Sequence, residues 1–259
     1  MRWASQGYGL PAPSAPRQDE RGALGAWLGL GLLIGLGAGV AALPWLPHPA
    51  PALPHPAAAA EAAAAPDFGR ETVSDDARRL THWVLASADH GGRPFALLDK
   101  RQARLMVFNP QGQLQAASAV LLGYAKGDDS VPGIGLKRIE DIPPAERTTP
   151  AGRFPVQPGL NASGAPVLWL DYHAALSMHK VINEDPAERR LQRLASGSAS
   201  DKRISWGCIN VPHAFFDQRL WPALARGGVV YVLPEHKRLE QVFSGLDQAA
   251  RSTRLASRS

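Results

Sequence analysis

The chain has 259 residues, enough for one substantial domain with appendages. Hydrophobic residues make up 45% and charged residues 20%, so an ordinary core can be built. The 28 Lys and Arg exceed the 23 Asp and Glu by a net +5. Many of these bases fall near the termini with few aromatics between them, which argues against a nucleic-acid partner.

In chain order, residues 1–23 carry Arg2, Arg17 and Arg21 and precede an uncharged run, 24–43, LGAWLGLGLLIGLGAGVAAL. A run of that length spans a hydrocarbon core as a helix, which needs about 20 residues. No Lys or Arg follows until Arg70. The positive-inside bias therefore keeps residues 1–23 in the cytoplasm and sends the rest outward. The expectation is a transmembrane helix in the inner (cytoplasmic) membrane, with the following domain in the periplasm. A cleaved signal sequence is the competing reading of the same run.

Residues 44–70 form a linker, Pro- and Ala-rich to residue 66, that is extended and semi-rigid. Ser74 then reads as an N-cap, with Asp75 and Asp76 in a first turn whose dipole favours anions. Leu80, Trp83, Val84 and Ser87 mark one helical face within 71–92, and Gly91-Gly92 ends the helix. This helix is expected to pack on the domain that follows, 93–235.

The signal changes to strands at Phe95. The runs FALLDK, RLMVFNP and LQAASAVLLG read as consecutive antiparallel strands. Residues 123–147 are Gly-, Pro- and acid-rich and read as loop. RFPV, VLWLDYH, ALSMHKV and the apolar GVVYVLP are further strands. Residues 184–203 read as a surface helix and loop starting near Pro186, with Leu191 and Leu194 as its only apolar contacts. Within 236–259, Leu239, Val242, Phe243 and Leu246 have helical spacing ahead of an Arg- and Ser-rich tail.

The chain has one cysteine, Cys208. In an exported protein cysteines come mostly in pairs, so a single one points to intermolecular bonding or a thiol kept for reactivity. Its neighbours are Arg203-Ile-Ser205-Trp206-Gly207-Cys208-Ile209-Asn210. Gly207 allows a tight turn that brings backbone amides near the sulfur, where they can hold an oxyanion. Ser205 and Asn210 add hydrogen-bonding groups on either side. His179 is the candidate base. In a strand over 175–181 it shares a face with Ala175, Ser177 and Val181, while Leu176 and Met178 point the other way. A zinc site from His173, His179, Cys208 and His213 is disfavoured, since no Cys-x-x-Cys pairing exists. No Gly-x-Ser-x-Gly elbow supports a serine hydrolase.

These residues resemble the L,D-transpeptidase catalytic-domain family of peptidoglycan cross-linking enzymes. The resemblance rests on His179 followed by Ser205-Trp206-Gly207-Cys208-Ile209-Asn210, and on Thr149-Pro150-Ala-Gly152-Arg-Phe154 upstream. It covers about residues 93–235. Three departures stand out: Trp206 replaces the family's second His, Lys180 stands where a Gly often follows the first His, and 25 residues separate His179 from Ser205, implying an insertion.

The resemblance implies a mostly β domain, sandwich- or barrel-like, with a few helices. It implies a Cys208 nucleophile, a His179 base, Ser205 and Gly207 shaping the catalytic loop, and Trp206, Asn210 and Lys180 toward substrate. Peptidoglycan stem peptides are the expected partners, joined 3→3 through a Cys208 thioester. An L,D-carboxypeptidase and a non-catalytic wall-binding module are the alternatives. No metal or organic cofactor is expected.

Overall fold

Residues 65–246 are described by a computed structural model. The predicted anchor at 24–43, most of the linker and the end of the tail lie outside the described residues. Among the described residues no helix is long and apolar enough to cross a membrane.

The first helix forms where its caps predict. In α1 (Asp75–Ala86), the Ser74 side chain accepts from the Ala77 amide, and Asp75 and Asp76 occupy the first turn. Ala77, Leu80, Thr81 and Val84 are buried along one face. The helix stops before the predicted Gly pair: the Ser87 hydroxyl and amide both bond the Trp83 carbonyl, and Ala88 turns to φ 51°.

Eleven strands are described: β1 (Phe95–Asp99), β2 (Arg104–Phe108), β3 (Leu114–Ala119), β4 (Leu122–Gly123), β5 (Gly152–Pro155), β6 (Gln157–Leu160), β7 (Pro166–Asp171), β8 (Leu176–Lys180), β9 (Arg203–Ser205), β10 (Ile209–Val211) and β11 (Val229–Val232). A five-stranded sheet has the order β3-β2-β1-β11-β5 and a four-stranded sheet the order β10-β8-β7-β6. Strands β4 and β9 form a small third pair. The opening strands β1, β2 and β3 pair antiparallel, as their sequence predicts. Three pairings are parallel: β1 with β11, β8 with β10, and β4 with β9.

Strand periodicity divides the core into two layers. Ala96, Leu98, Leu105, Val107, Val230 and Val232 face the four-stranded sheet, where they meet Leu168, Leu170, Leu176, Met178, Ile209 and Val211. On the opposite face, Phe95, Leu97, Met106, Phe108, Val229 and Tyr231 meet α1 through Ala77, Leu80 and Val84. Leu239 and Phe243, around a one-turn helix at Leu239–Val242, close that layer. The five-stranded sheet is thus covered on both faces, which is why β1 and β11 are buried at every residue. The mostly β sandwich with a few helices matches the expectation.

The polar insertion differs in detail from its reading. A 3₁₀ turn (Pro186–Glu188) leads into α2 (Arg190–Ala195). Leu191 is 53% exposed, and the buried side chain of the segment is Arg190. The helix begins from Arg189 in the left-handed region, φ 48°, which sets its first residue rather than its leucine toward the sheet.

A buried ion network ties the long 123–151 connection to the segments that follow β1 and β11, which leave the five-stranded sheet side by side at one end. Lys100, which follows β1, is fully enclosed, and its ammonium donates to Asp128 Oδ1 (2.9 Å), Thr149 O (2.9 Å) and Gly127 O. Asp128 also accepts from the amides of Glu235 (2.6 Å), His236 (2.8 Å) and Lys237 (2.7 Å). Arg203 pairs with Glu235 and donates to the Lys100 carbonyl. Burial pushes the Asp128 carboxyl up, but these amides and the Lys100 ammonium outweigh it and hold it well below the usual carboxylate range. A depressed folded-state pKa gives stability that is present above about pH 4 and lost as pH falls toward the folded value. Removing one partner of a buried pair costs about 3–5 kcal/mol because the other charge is stranded. Asp128→Ala is accordingly expected to lower unfolding free energy by about that much in urea titrations at pH 7, with a smaller loss at pH 3.

Candidate active site

The site lies where β8 and β10 run side by side. Their parallel register sets Asn210 opposite His179 and Ile209 opposite Met178. Leu176 and Met178 enter the core, so the alternate residues Ser177 and His179 take the other face. Cys208 immediately precedes β10 and reaches that same face. Its sulfur lies 3.5 Å from the Ser177 hydroxyl and 3.4 Å from the Ala175 carbonyl. Ala175 itself is held at φ 49°, a strained region for a residue with a side chain.

His179 is half-buried and anchored from both nitrogens. Nδ1 lies 2.8 Å from the Lys180 carbonyl, an acceptor only, so it carries the proton and donates. Nε2 lies 3.2 Å from Asn210 Nδ2. Burial by itself lowers the imidazole pKa, but the hydrogen bond and charge of Cys208 reverse this and raise it, helped by the Lys180 carbonyl. Burial likewise pushes the Cys208 thiol up, and the His179 contact overrides it and brings the thiol below its ordinary value, with Ser177 assisting. Each group thus favours the charged form of the other, which eases proton transfer from the thiol to the imidazole.

The loop from Ser205 to Cys208 is fixed by short bonds. Ser205 Oγ donates to the Cys208 carbonyl at 2.6 Å and accepts from the Gly207 amide at 3.1 Å. Thr149 Oγ1 donates to the Gly207 carbonyl at 2.7 Å and accepts from the Gly123 amide at 2.9 Å. The Thr149-Pro150 segment thereby clamps the loop from the far side. Gly207 has φ 130°, and a Cβ there would stand 2.8 Å from the Thr148 carbonyl, so no other residue fits without movement.

The remaining predicted residues fall around this centre. Trp206 lies under the Arg147 guanidinium, 4.7 Å from its ring centre, and its buried Nε1 has no partner among the described residues. Trp206 and Gly207 border a cleft with Ile134, Glu146, Thr148 and Ala175. The ammonium of Lys180 pairs with Asp217 at 2.8 Å and lies 5.7 Å from the Phe216 ring, at the flank of the site. His213 turns Nε2 to the Val181 carbonyl, and His173 is exposed on the β7–β8 turn. Among the described residues, no cluster of three or more His, Cys, Asp or Glu is arranged to hold a metal.

Sequence reading missed Arg190. Its Nη1 donates to Asn210 Oδ1 at 2.7 Å, and its Nε donates to Glu188 Oε2 at 2.5 Å. It is separated from His179 by ten residues of polar loop, and no local pattern marks it.

Compared with known proteins, the chain matches no protein-family model and no curated protein. Among solved structures it is similar to the catalytic domain of an L,D-transpeptidase from E. faecium, with 16% identity and a TM-score of 0.33, over 55% of this chain and 98% of that one. It is also similar to the helical cell shape determining protein Pgp2 from Campylobacter jejuni, with 12% identity and a TM-score of 0.38, over 67% of this chain and 62% of that one. At these identities and TM-scores neither likeness assigns an activity.

The opposed shifts of the thiol and imidazole give a direct expectation. The rate of Cys208 alkylation by iodoacetamide should rise with pH around a midpoint below the free-thiol value of about 8.5. In His179→Gln, where burial acts without the imidazolium, the midpoint should move above that value.

Proposed function

We propose that the chain is an L,D-transpeptidase-like cysteine acyltransferase acting on peptidoglycan stem peptides. The observation that carries this reading is the placement of Cys208 just before β10 and of His179 on the parallel neighbour β8, with the thiol shifted down and the imidazole up. The motif resemblance supplies the substrate class. A thiolate of this kind attacks carbonyl carbon, and the amide bonds of a stem peptide present such carbons.

The sequence of steps is as follows. The Cys208 thiolate adds to the carbonyl of the third stem residue, and the carbonyl oxygen becomes an oxyanion. The Gly207 amide is already held by Ser205, which leaves the Cys208 amide as the donor assigned to that oxyanion. The imidazolium of His179 passes its proton to the departing amine, the C–N bond breaks, and the terminal D-alanine leaves. A side-chain amine from a neighbouring stem then attacks the thioester and gives its proton to His179. The C–S bond breaks and a 3→3 amide cross-link remains. Ser205 holds the loop in register, and Trp206, Asn210 and Lys180 flank the peptide.

Water in place of the amine would release a tripeptide, making the same site an L,D-carboxypeptidase. The unpartnered Nε1 of Trp206 under Arg147 favours a third use of the cleft, peptide or glycan binding without turnover. The uncharged run at 24–43 supports a membrane anchor with the catalytic domain in the periplasm.

Incubating the full-length chain with purified disaccharide-tetrapeptide and analysing products by mass spectrometry separates these readings. Dimers lacking one D-alanine, absent with Cys208→Ala, are expected. Monomeric tripeptide would make the enzyme a carboxypeptidase, and unchanged substrate with a folded protein would leave the binding module.

A further inference from the structure

The Glu188–Arg190 pair in the polar insertion reaches the reacting centre through one intervening side chain. Arg190 has a side chain only 8% exposed, although it lies on a short surface helix otherwise made of exposed and half-buried residues. A buried guanidinium is costly unless its donors are met. Here they are met by Glu188 on one edge and Asn210 Oδ1 on the other. The geometry of the segment is set for this contact. Arg189 adopts φ 48°, its amide bonds the Pro186 carbonyl, and Arg193 returns to the Glu188 carbonyl at 2.8 Å.

The consequence falls on Asn210. A guanidinium only donates, so the Asn210 atom facing it must be the carbonyl oxygen. The amide nitrogen is thereby turned to the other side, where it donates to the Cys208 carbonyl at 3.3 Å and lies 3.2 Å from His179 Nε2. A neighbouring N–H donor requires Nε2 of neutral His179 to be the acceptor, with the proton on Nδ1 against the Lys180 carbonyl. That tautomer leaves the Nε2 lone pair for a proton from the thiol or an incoming amine.

We propose that Arg190, braced by Glu188, is a positioning residue that fixes the orientation of the Asn210 amide and so holds neutral His179 in the tautomer with Nε2 unprotonated. The inference rests on reading His179 as the base for Cys208. Two charged or titratable side chains bear on this imidazole. Cys208 shifts it up and Arg190 shifts it down, while Lys180 is its strand neighbour and is itself paired with Asp217. Without Arg190 the amide is oriented only by its 3.3 Å bond to the Cys208 carbonyl and can turn its oxygen to Nε2. The Lys180 carbonyl alone then favours the Nδ1-protonated tautomer, and the population of neutral His179 with Nε2 protonated rises.

The test uses the full-length chain labelled with ¹⁵N-histidine, with the His179 signals identified by their loss in His179→Gln. Ring ¹⁵N shifts above the imidazole midpoint should show Nε2 as the unprotonated nitrogen in the native chain. In Arg190→Met they should move toward a tautomer average. Arg190→Lys keeps a donor for Asn210 Oδ1 and should restore much of the native pattern. Glu188→Gln retains Arg190 and should give a smaller change in the same direction, which covers the case of an unfolded methionine variant. Native-like ring shifts in folded Arg190→Met would overturn the proposal and leave Arg190 a packing residue. The readout uses no cell-wall substrate, so failure of the acyltransferase reading would be seen separately, in the product assay.

Discussion

The parallel pairing of β8 with β10 is the contact on which the site depends. Two strands that are distant in sequence lie in register so that His179 faces Asn210, and the residue before β10 brings a thiol beside Ser177. Parallel neighbours require a long crossover, and the chain uses that crossover for the polar segment carrying Glu188 and Arg190. The same edge of the sheet is braced by Leu121, whose amide and carbonyl exchange hydrogen bonds with Asn210. The backbone of Asn210 is therefore held by β8 and by the β3–β4 connection. Its side chain is held by Arg190 at 2.7 Å. A half-buried imidazole and thiol placed together on so constrained a ladder gain charge stabilisation that burial alone would deny them.

A second layer of constraint comes from the buried ions around Lys100. The segment from Gly123 to Thr149 contains only short 3₁₀ turns, at Ile134–Leu136, Ile139–Asp141 and Pro144–Glu146, and has little core of its own. It is tied down at its ends instead. Asp128 and Gly127 bind Lys100, and Thr149 is bonded to Lys100, Gly123 and Gly207. Thr149 thus joins the ion network to the loop that carries Cys208. Trp206, with Arg147 over its ring, lines the cleft together with Gly207, the residue before Cys208.

Much of the sandwich was legible because its central strands are long apolar runs. FALLD, RLMVF and VVYV are buried on both faces and could hardly be anything else in a β-rich context. The caps of α1 were legible through Ser74 and the following acids. The short strands were not: β6 reads QPGL, with a proline and a glycine in four residues, and β9 and β10 have three residues each. Their pairing is non-local, so no alternation within them reveals it. For the site, the sequence could mark Cys208 by its solitude and His179 by its place on an alternating strand. Arg190 could not be found that way. A charged residue on a short polar helix reads as solvated, while Leu191 beside it reads as the contact. The left-handed turn at Arg189 reverses that order, and nothing in the residue itself demands the turn.

The central claim is that Cys208 carries the acyl group between donor and acceptor. The most direct measurement is rapid acid quenching of the full-length chain with disaccharide-tetrapeptide, followed by intact-mass analysis and peptide mapping. A transient mass increase on Cys208 equal to the substrate less D-alanine is expected, lost on mild base and absent in Cys208→Ala. Turnover of substrate with no adduct, or an adduct mapped to any other residue, would contradict the claim.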